Sequence, residues 1–131
     1  GEDAAIIAVG SMVNIAMKTR NALAAENIDI EVVNARFVKP LDSALLKDVL
    51  SRHRKVLTLE DNVITGGFGS AILEFMNQHK IQDVELIVHG LPDKFVEHGT
   101  PDELFADLKM DVKGISAIVK DLLLSKERIS V

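Results

Sequence analysis

The sequence contains no cysteine, no tryptophan and no tyrosine. Without thiols there is no disulfide framework, no thiolate nucleophile and no cysteine-based zinc site, which suits a reducing compartment. The only aromatic residues are five phenylalanines, too few for a surface on which bases stack. Positive charge is also in deficit, with 15 Lys and Arg against 20 Asp and Glu and a formal net charge of −5. That balance argues against non-specific binding to nucleic acid or to an anionic membrane. No apolar stretch approaches the ~20 residues needed to cross a bilayer, and no signal-peptide pattern opens the chain. None of His53, His79, His89 and His98 are neighbours four apart and no HExxH occurs, so no metal site is expected.

The remaining composition is that of a globular domain, with 47% hydrophobic and 27% charged residues over 131 positions. A chain of this size fits one domain, residues 1–131, and buries roughly two thirds of its unfolded surface without covalent staples. It begins at Gly1 without a methionine and enters an apolar run within three residues, so it reads as a piece of a longer polypeptide.

Along the chain, strand and helix patterns alternate. Ala4 to Val9 is a continuous apolar run, the pattern of a strand buried on both faces. Met12, Ala16, Thr19 and Leu23 then recur at spacings of four and three, an amphipathic helix. A second strand is expected around residues 28–34, with Ile30 and Val32 in alternation, and a second helix carries Leu46, Val49 and Leu50. Val56 to Leu59 forms a third strand that ends at Glu60-Asp61-Asn62. The glycine cluster from Gly66 to Ser70 leads into a third helix with Phe68, Ile72, Phe75 and Met76 on one side. Val84 to Val88 reads as a fourth strand, Thr100 to Glu103 as the capped start of a short helix, and Ile115, Ile118, Val119 and Leu122 as the apolar stripe of the last helix. Strands separated by helix-length segments imply βαβ crossovers: an α/β fold with a mostly parallel sheet and helices on both faces.

Each chemically suggestive motif has a structural and a functional reading. Gly66, Gly67, Gly69 and Ser70 make a turn that either allows close backbone packing or offers N–H groups to an anion. The dinucleotide fingerprint fails, because read from Gly67 its sixth position is Ile72, and no Gly-Lys-Ser/Thr is present to make a phosphate loop. Glu60 and Asp61 lie at the carboxyl end of a strand, where open α/β sheets place ligands. As neighbours on a strand they point to opposite faces and do not converge as an acid–base pair. Glu60 is then either a polar anchor for the glycine turn or a general base. His98 sits in a loop beside Glu97, ordering that loop or marking an active-site edge or interface. His53 and His79 fall near helix ends, a solvated position, and the run Arg52-His53-Arg54-Lys55 complements a helix dipole there. In Arg36 to Asp42, Phe37 packs, Pro40 stops the strand and Asp42 caps the next helix; alternatively Arg36 and Lys39 face an acidic substrate or partner.

Four segments taken together carry a resemblance. They are Asn34 to Asp42 (NARFVKPLD), Thr58 to Asn62 (TLEDN), Gly66 to Ser70 (GGFGS) and Gly90 to Gly99 (GLPDKFVEHG). In order and over essentially the whole chain, they resemble the C-terminal domain of the 1-deoxy-D-xylulose-5-phosphate synthase family, within the transketolase superfamily. A glutamate followed by Gly-Gly-x-Gly is shared with transketolases and the β subunits of 2-oxoacid dehydrogenases; the first and last segments single out the synthases. The resemblance implies a three-layer α/β/α sandwich of the transketolase C-terminal type. It implies a parent transferase that uses thiamine diphosphate and Mg to join a two-carbon unit from pyruvate to glyceraldehyde 3-phosphate, feeding isoprenoid biosynthesis. The parent is expected in the bacterial cytoplasm, or in the plastid for a plant homologue. The family's diphosphate- and metal-holding Gly-Asp-Gly segment is not in this sequence. The domain is therefore expected to be non-catalytic alone, with no cofactor of its own. Its expected partners are the cofactor-binding domains and a second subunit in a dimer, and neither nucleic acid nor membrane. Arg36, Glu60 and His98 are candidates for an active-site edge or interface. The alternatives are a free-standing phosphate- or nucleotide-binding module built on the glycine turn, or the equivalent domain of a transketolase or dehydrogenase β subunit.

Overall fold

A computed structural model of the chain describes residues 3–35, 42–63, 67–91 and 106–125. Its elements run β1 (Ala4–Ala8), α1 (Met12–Ala24), β2 (Ile30–Asn34), α2 (Ser43–Arg52), β3 (Lys55–Val63), α3 (Phe68–Gln78), β4 (Glu85–Leu91) and α4 (Val112–Leu124). The strands form a four-stranded parallel sheet in the order β2-β1-β3-β4. This is the α/β architecture expected from the alternating pattern.

The sheet separates two apolar layers. Ala4, Ile6, Ala8, Leu57 and Leu59 meet α1 and α4 through Met12, Ala16, Leu23, Ile115 and Val119. On the opposite face Ala5, Ile7, Val33 and Val56 meet α2 and α3 through Leu46, Val49, Leu50, Phe68, Ile72, Phe75 and Met76. All five residues of β1 are buried, which explains its unbroken apolar run: a central parallel strand has no solvent face. Burying Ile6 and Ile7 contributes about 1.5–3 kcal/mol each.

The helices form where the apolar spacing puts them, and each buried stripe is short and regular. In α1 it is Met12, Ala16, Thr19 and Leu23, and Thr19 escapes a polar penalty by donating its hydroxyl to the Ile15 carbonyl at 2.9 Å. In α2 it is Leu46, Val49 and Leu50, with Asp42 as the N-cap accepting from the Leu45 N–H at 3.0 Å. Asp111 caps α4 in the same way, through the Gly114 N–H at 2.8 Å. In α4 the buried set is Ile115, Val119 and Leu122, while Ile118 is only half-buried. In β2 the alternation is weaker than expected: Ile30 and Val33 are buried and Val32 half-buried, because β2 is an edge strand. The Thr100–Glu103 helix start lies outside the described residues.

The basic run after α2 does more than neutralise one helix end. Arg52 forks onto both oxygens of Glu31 at 2.8 and 3.1 Å and reaches Asp48, one turn earlier, at 3.0 Å. His53 is not solvated as its position near a helix end suggests; it is 4% exposed. Its backbone is extended at the C-cap (φ −125°, ψ 133°), which turns the ring inward, and its Nε2 lies 2.9 Å from Glu31 Oε1. Lys55 serves a different helix: its ammonium donates to the carbonyls of Leu122, Leu123 and Ser125 at the end of α4, at 2.6, 3.3 and 2.8 Å.

Glu31 ties β2 to the end of α2, and this predicts a pH dependence. Its carboxyl is held below the ordinary value of 4.5, first by the hydrogen bond from Arg52, with partial burial opposing and His53 adding to the shift. A depressed folded-state pKa gives stability that is full above the unfolded value and is lost as pH falls through the folded one. The stability advantage of the wild type over Glu31→Gln is therefore expected to shrink as pH falls from about 5 to about 3. Urea denaturation of both proteins across that range checks it; a constant gap would mean that Glu31 gains nothing from Arg52 on folding.

Candidate functional site

The strand order defines where a site would form. From β1 the chain moves outward to β2, then crosses back to β3 on the other side of β1. The carboxyl ends of β1 and β3 therefore flank a topological switch point, the usual ligand crevice of an open parallel sheet. Glu60 and Asp61 lie there. The ladder between β3 and β4 is in register to Leu59 opposite His89 and resumes only at Val63 opposite Leu91. Residues 60–62 thus sit in an irregularity of the kind that re-aims side chains at the rim of a sheet.

The two carboxylates diverge. Glu60 is fully buried and turns toward α3. Its Oε2 accepts from the Phe68 N–H at 2.7 Å and its Oε1 from the Gly69 N–H at 3.0 Å. The N-cap of α3 is Gly67, which has no side chain to cap with. Glu60 supplies that cap from another strand, bringing negative charge to the positive end of the helix. Asp61 turns to the other side and accepts a hydrogen bond from Ser11 Oγ at 2.5 Å. Ser11 precedes α1 and makes no side-chain cap of its own helix. Its bond to Asp61 spans the crevice between β1 and β3. Gly10, in the turn below, has φ +64°, a conformation that glycine adopts without the penalty a side chain would bring.

Gly69 shows why the turn into α3 is glycine-rich. A Cβ there would lie 2.2 Å from Val88 Cγ1 and 2.9 Å from Thr58 Oγ1. The first turn of α3 therefore rests directly on β3 and β4, close enough for its N–H groups to reach Glu60. Gly67 has φ −86°, so its backbone makes no special demand. Ser70 lies in the first helical turn, half-buried. With the Phe68 and Gly69 amides committed to Glu60, an anion could use them only by displacing a buried carboxylate. Arg36, Gly66 and His98 lie outside the described residues.

Two features of this region are absent from a reading of the sequence alone: the Ser11–Asp61 bond and the anchoring of His89, whose Nε2 lies 2.8 Å from the Lys109 carbonyl. Each joins residues brought together only by strand order. As to a divalent cation, Glu60 and Asp61 are the obvious oxygen donors, yet they face opposite ways and each is already engaged. Among the described residues no three His, Asp or Glu side chains are grouped to hold a metal, so these residues do not fit a metal–diphosphate centre.

The fold and this glutamate-clamped helix turn place the chain among parallel α/β domains in which a buried strand-end carboxylate fixes the following helix. The profile described as transketolase, C-terminal domain matches residues 1–115, and the chain belongs to that family. It is 40% identical over its full length to 1-deoxy-D-xylulose-5-phosphate synthase of Lysinibacillus sphaericus and spans 21% of that protein. Over 94% of the chain it is 45% identical to the synthase of Vibrio campbellii and 44% identical to that of Aquifex aeolicus, covering 19% of each. The chain thus corresponds to about a fifth of the length of these curated relatives. Among solved structures, a split-gene transketolase described as an inactive β4 tetramer superposes with a TM-score of 0.84 at 30% identity, covering 94% of this chain and 40% of that one. Transketolase of Campylobacter jejuni shares the fold, with a TM-score of 0.58 at 17% identity over 91% of this chain and 17% of its own. No helix among the described residues is long and apolar enough to cross a membrane.

Proposed function

We propose that this chain is the supporting C-terminal domain of a thiamine-diphosphate-dependent transferase that condenses pyruvate with glyceraldehyde 3-phosphate to 1-deoxy-D-xylulose 5-phosphate. The observation that carries this reading is identity of 40% to such a synthase across all 131 residues, at only 21% of the synthase's length. A domain of that share contributes packing against the cofactor-binding domains and a second subunit, and it is not catalytic alone. The commitment of Glu60 to the α3 amides supports this division of labour, since a carboxylate fixed by two backbone donors is poorly placed to accept a substrate proton. The neighbouring split-gene transketolase, solved as an inactive β4 tetramer, supports the idea that such a part can fold and assemble without turning over substrate. Thiamine diphosphate and Mg would be held by other parts of the parent, in the cytoplasm.

A complementation assay tests the proposal. The chain is mixed with the separately expressed cofactor-binding portion of a synthase, and product formation from pyruvate and glyceraldehyde 3-phosphate is followed. The expected result is activity in the mixture at least ~10²-fold above either part alone, as when a catalytic constellation is completed by its positioning scaffold. Activity of the chain alone with thiamine diphosphate and Mg would overturn it. So would the lack of any gain on mixing two folded parts.

A further inference from the structure

All four strands run the same way, so their carboxyl ends share one rim of the sheet. Along it lie Gly10 and Ser11 after β1, Asn34 and Ala35 at the end of β2, Glu60 and Asp61 in β3, and His89 in β4. The four segments that carry the family resemblance all belong to this rim. One begins at Asn34, one is Thr58 to Asn62 in the last part of β3, and one begins at Gly90 in β4. The fourth, Gly66 to Ser70, enters α3, whose first amides Glu60 holds against the end of β3. The connections at the amino-terminal end, residues 25–29, 53–54 and 79–84, contain none of the four.

Folding alone does not explain that sorting, because both ends of the sheet need turns and caps. At the amino-terminal end Asn27 and Lys80 hold left-handed turns, with φ 62° and 55°, and Lys55 closes the last carbonyls of α4. At the carboxyl end Gly10 and Lys109 hold left-handed turns, with φ 64° and 58°. Side-chain bonds tie both ends as well. Arg52 joins Glu31 at one, while Ser11 joins Asp61 and His89 joins the Lys109 carbonyl at the other. The two ends are built alike, and one of them carries every segment that resembles the synthases.

The rim shows no chemistry of its own to account for this. Glu60 is committed to α3, and no metal-holding group stands there among the described residues. Ser11, Asn34 and Lys109, by contrast, are exposed. Outward-facing connections on firmly tied roots are how a rigid scaffold presents a recognition surface. The helix faces offer no rival. Among the described residues the exposed large apolar side chains, Leu73 on α3 and Leu124 on α4, stand singly on opposite sides of the sheet, which is ordinary for a protein surface.

We infer that the carboxyl rim of the sheet, at Ser11, Asn34, Asp61 and Lys109, is the surface that docks onto the cofactor-binding part of the synthase. The inference rests on the reading of the chain as one domain of that enzyme, and it adds which face meets the rest. The groups presented are a hydroxyl, an amide, a carboxylate and an ammonium, so the contact is polar and matched by hydrogen bonds, with the outer helix faces left to solvent.

The test adds the separately expressed, unlabelled cofactor-binding part of a synthase to the ¹⁵N-labelled 131-residue chain. Amide signals of Ser11, Asn34, Asp61 and Lys109 are expected to shift or broaden, and those of Lys18 and Ala117 on the outer helix faces to stay. By calorimetry, Asn34→Arg and Lys109→Glu are each expected to weaken the complex about tenfold, as a change inside an interface does. Ala117→Arg, on the exposed face of α4, is expected to change it by less than about twofold. Perturbations confined to the helix faces, an affinity lowered by Ala117→Arg alone, or no complex between two folded parts would overturn the surface. So would the same rim shifts on concentrating the chain by itself, which would give the rim to a second copy. Rim contacts without any gain in activity would uphold the surface and sink the catalytic reading, whereas a gain in activity with contacts elsewhere would do the reverse.

Discussion

Gly69→Ala is expected to cost about 3 kcal/mol of folding stability, the upper end of what overpacking a core does. Two effects oppose each other at this position. Alanine is the better helix former and would gain up to ~1 kcal/mol in an exposed helix. Against it stands a Cβ placed 2.2 Å from Val88 Cγ1 and 2.9 Å from Thr58 Oγ1. Both neighbours are β-branched residues on strands, with little rotamer freedom to yield. The contact therefore forces α3 away from the sheet, and the movement also pulls the Gly69 N–H from Glu60. The clash wins because it is paid twice, in packing and in the cap. Urea denaturation of Gly69→Ala against the wild type measures the loss, and Val88→Ala in the same background should restore part of it. A double-mutant coupling of about 1 kcal/mol or more between the two positions is expected. Additive effects would mean that Val88 is not what the new methyl meets.

Much of the fold was legible because it depends on local spacing. The stripe Met12, Ala16, Thr19 and Leu23 is the buried set of α1, and Leu46, Val49 and Leu50 is that of α2. Period-two alternation also placed Glu60 and Asp61 on opposite faces, and the structure has one on α3 and the other on Ser11. What spacing did not contain is partnership across the sheet. Glu31 meets Arg52 and His53 only because β2 lies at the edge beside the end of α2, and Lys55 caps a helix through a carbonyl 67 residues further on. His53 departs from the expectation for a related reason: a helix end is usually solvated, but an extended C-cap residue can turn back beneath its helix. The site was half legible, since Glu60 beside a glycine turn invites either a cap or a base, and only the distances to Phe68 and Gly69 show a cap. The family came from four segments matched in order, which no periodicity argument supplies.

Replacing Glu60 should separate its two readings. In Glu60→Ala the Phe68 and Gly69 N–H groups, now held at 2.7 and 3.0 Å by a fully buried carboxylate, lose their acceptor. Each buried donor left unpaired costs about 1–3 kcal/mol, so a total near 3 kcal/mol is expected after relaxation. Glu60→Gln keeps the shape, and its single amide oxygen can serve one N–H. The amide nitrogen then faces the other N–H, donor against donor, and a loss of about 2 kcal/mol follows. Equilibrium denaturation gives both numbers. The sharper comparison is in the reconstituted enzyme at a temperature where Glu60→Gln stays folded. If Glu60 acts through the position of α3, restored activity will follow the folded, assembled fraction, and saturating amounts of the variant will recover most of the rate. If Glu60 moves a proton in the reaction, saturating folded variant will still lack roughly 10²-fold or more in rate, the ordinary contribution of a general acid or base. Two buried bonds to the helix amides favour the first outcome, and the second would require those bonds to break within the catalytic cycle.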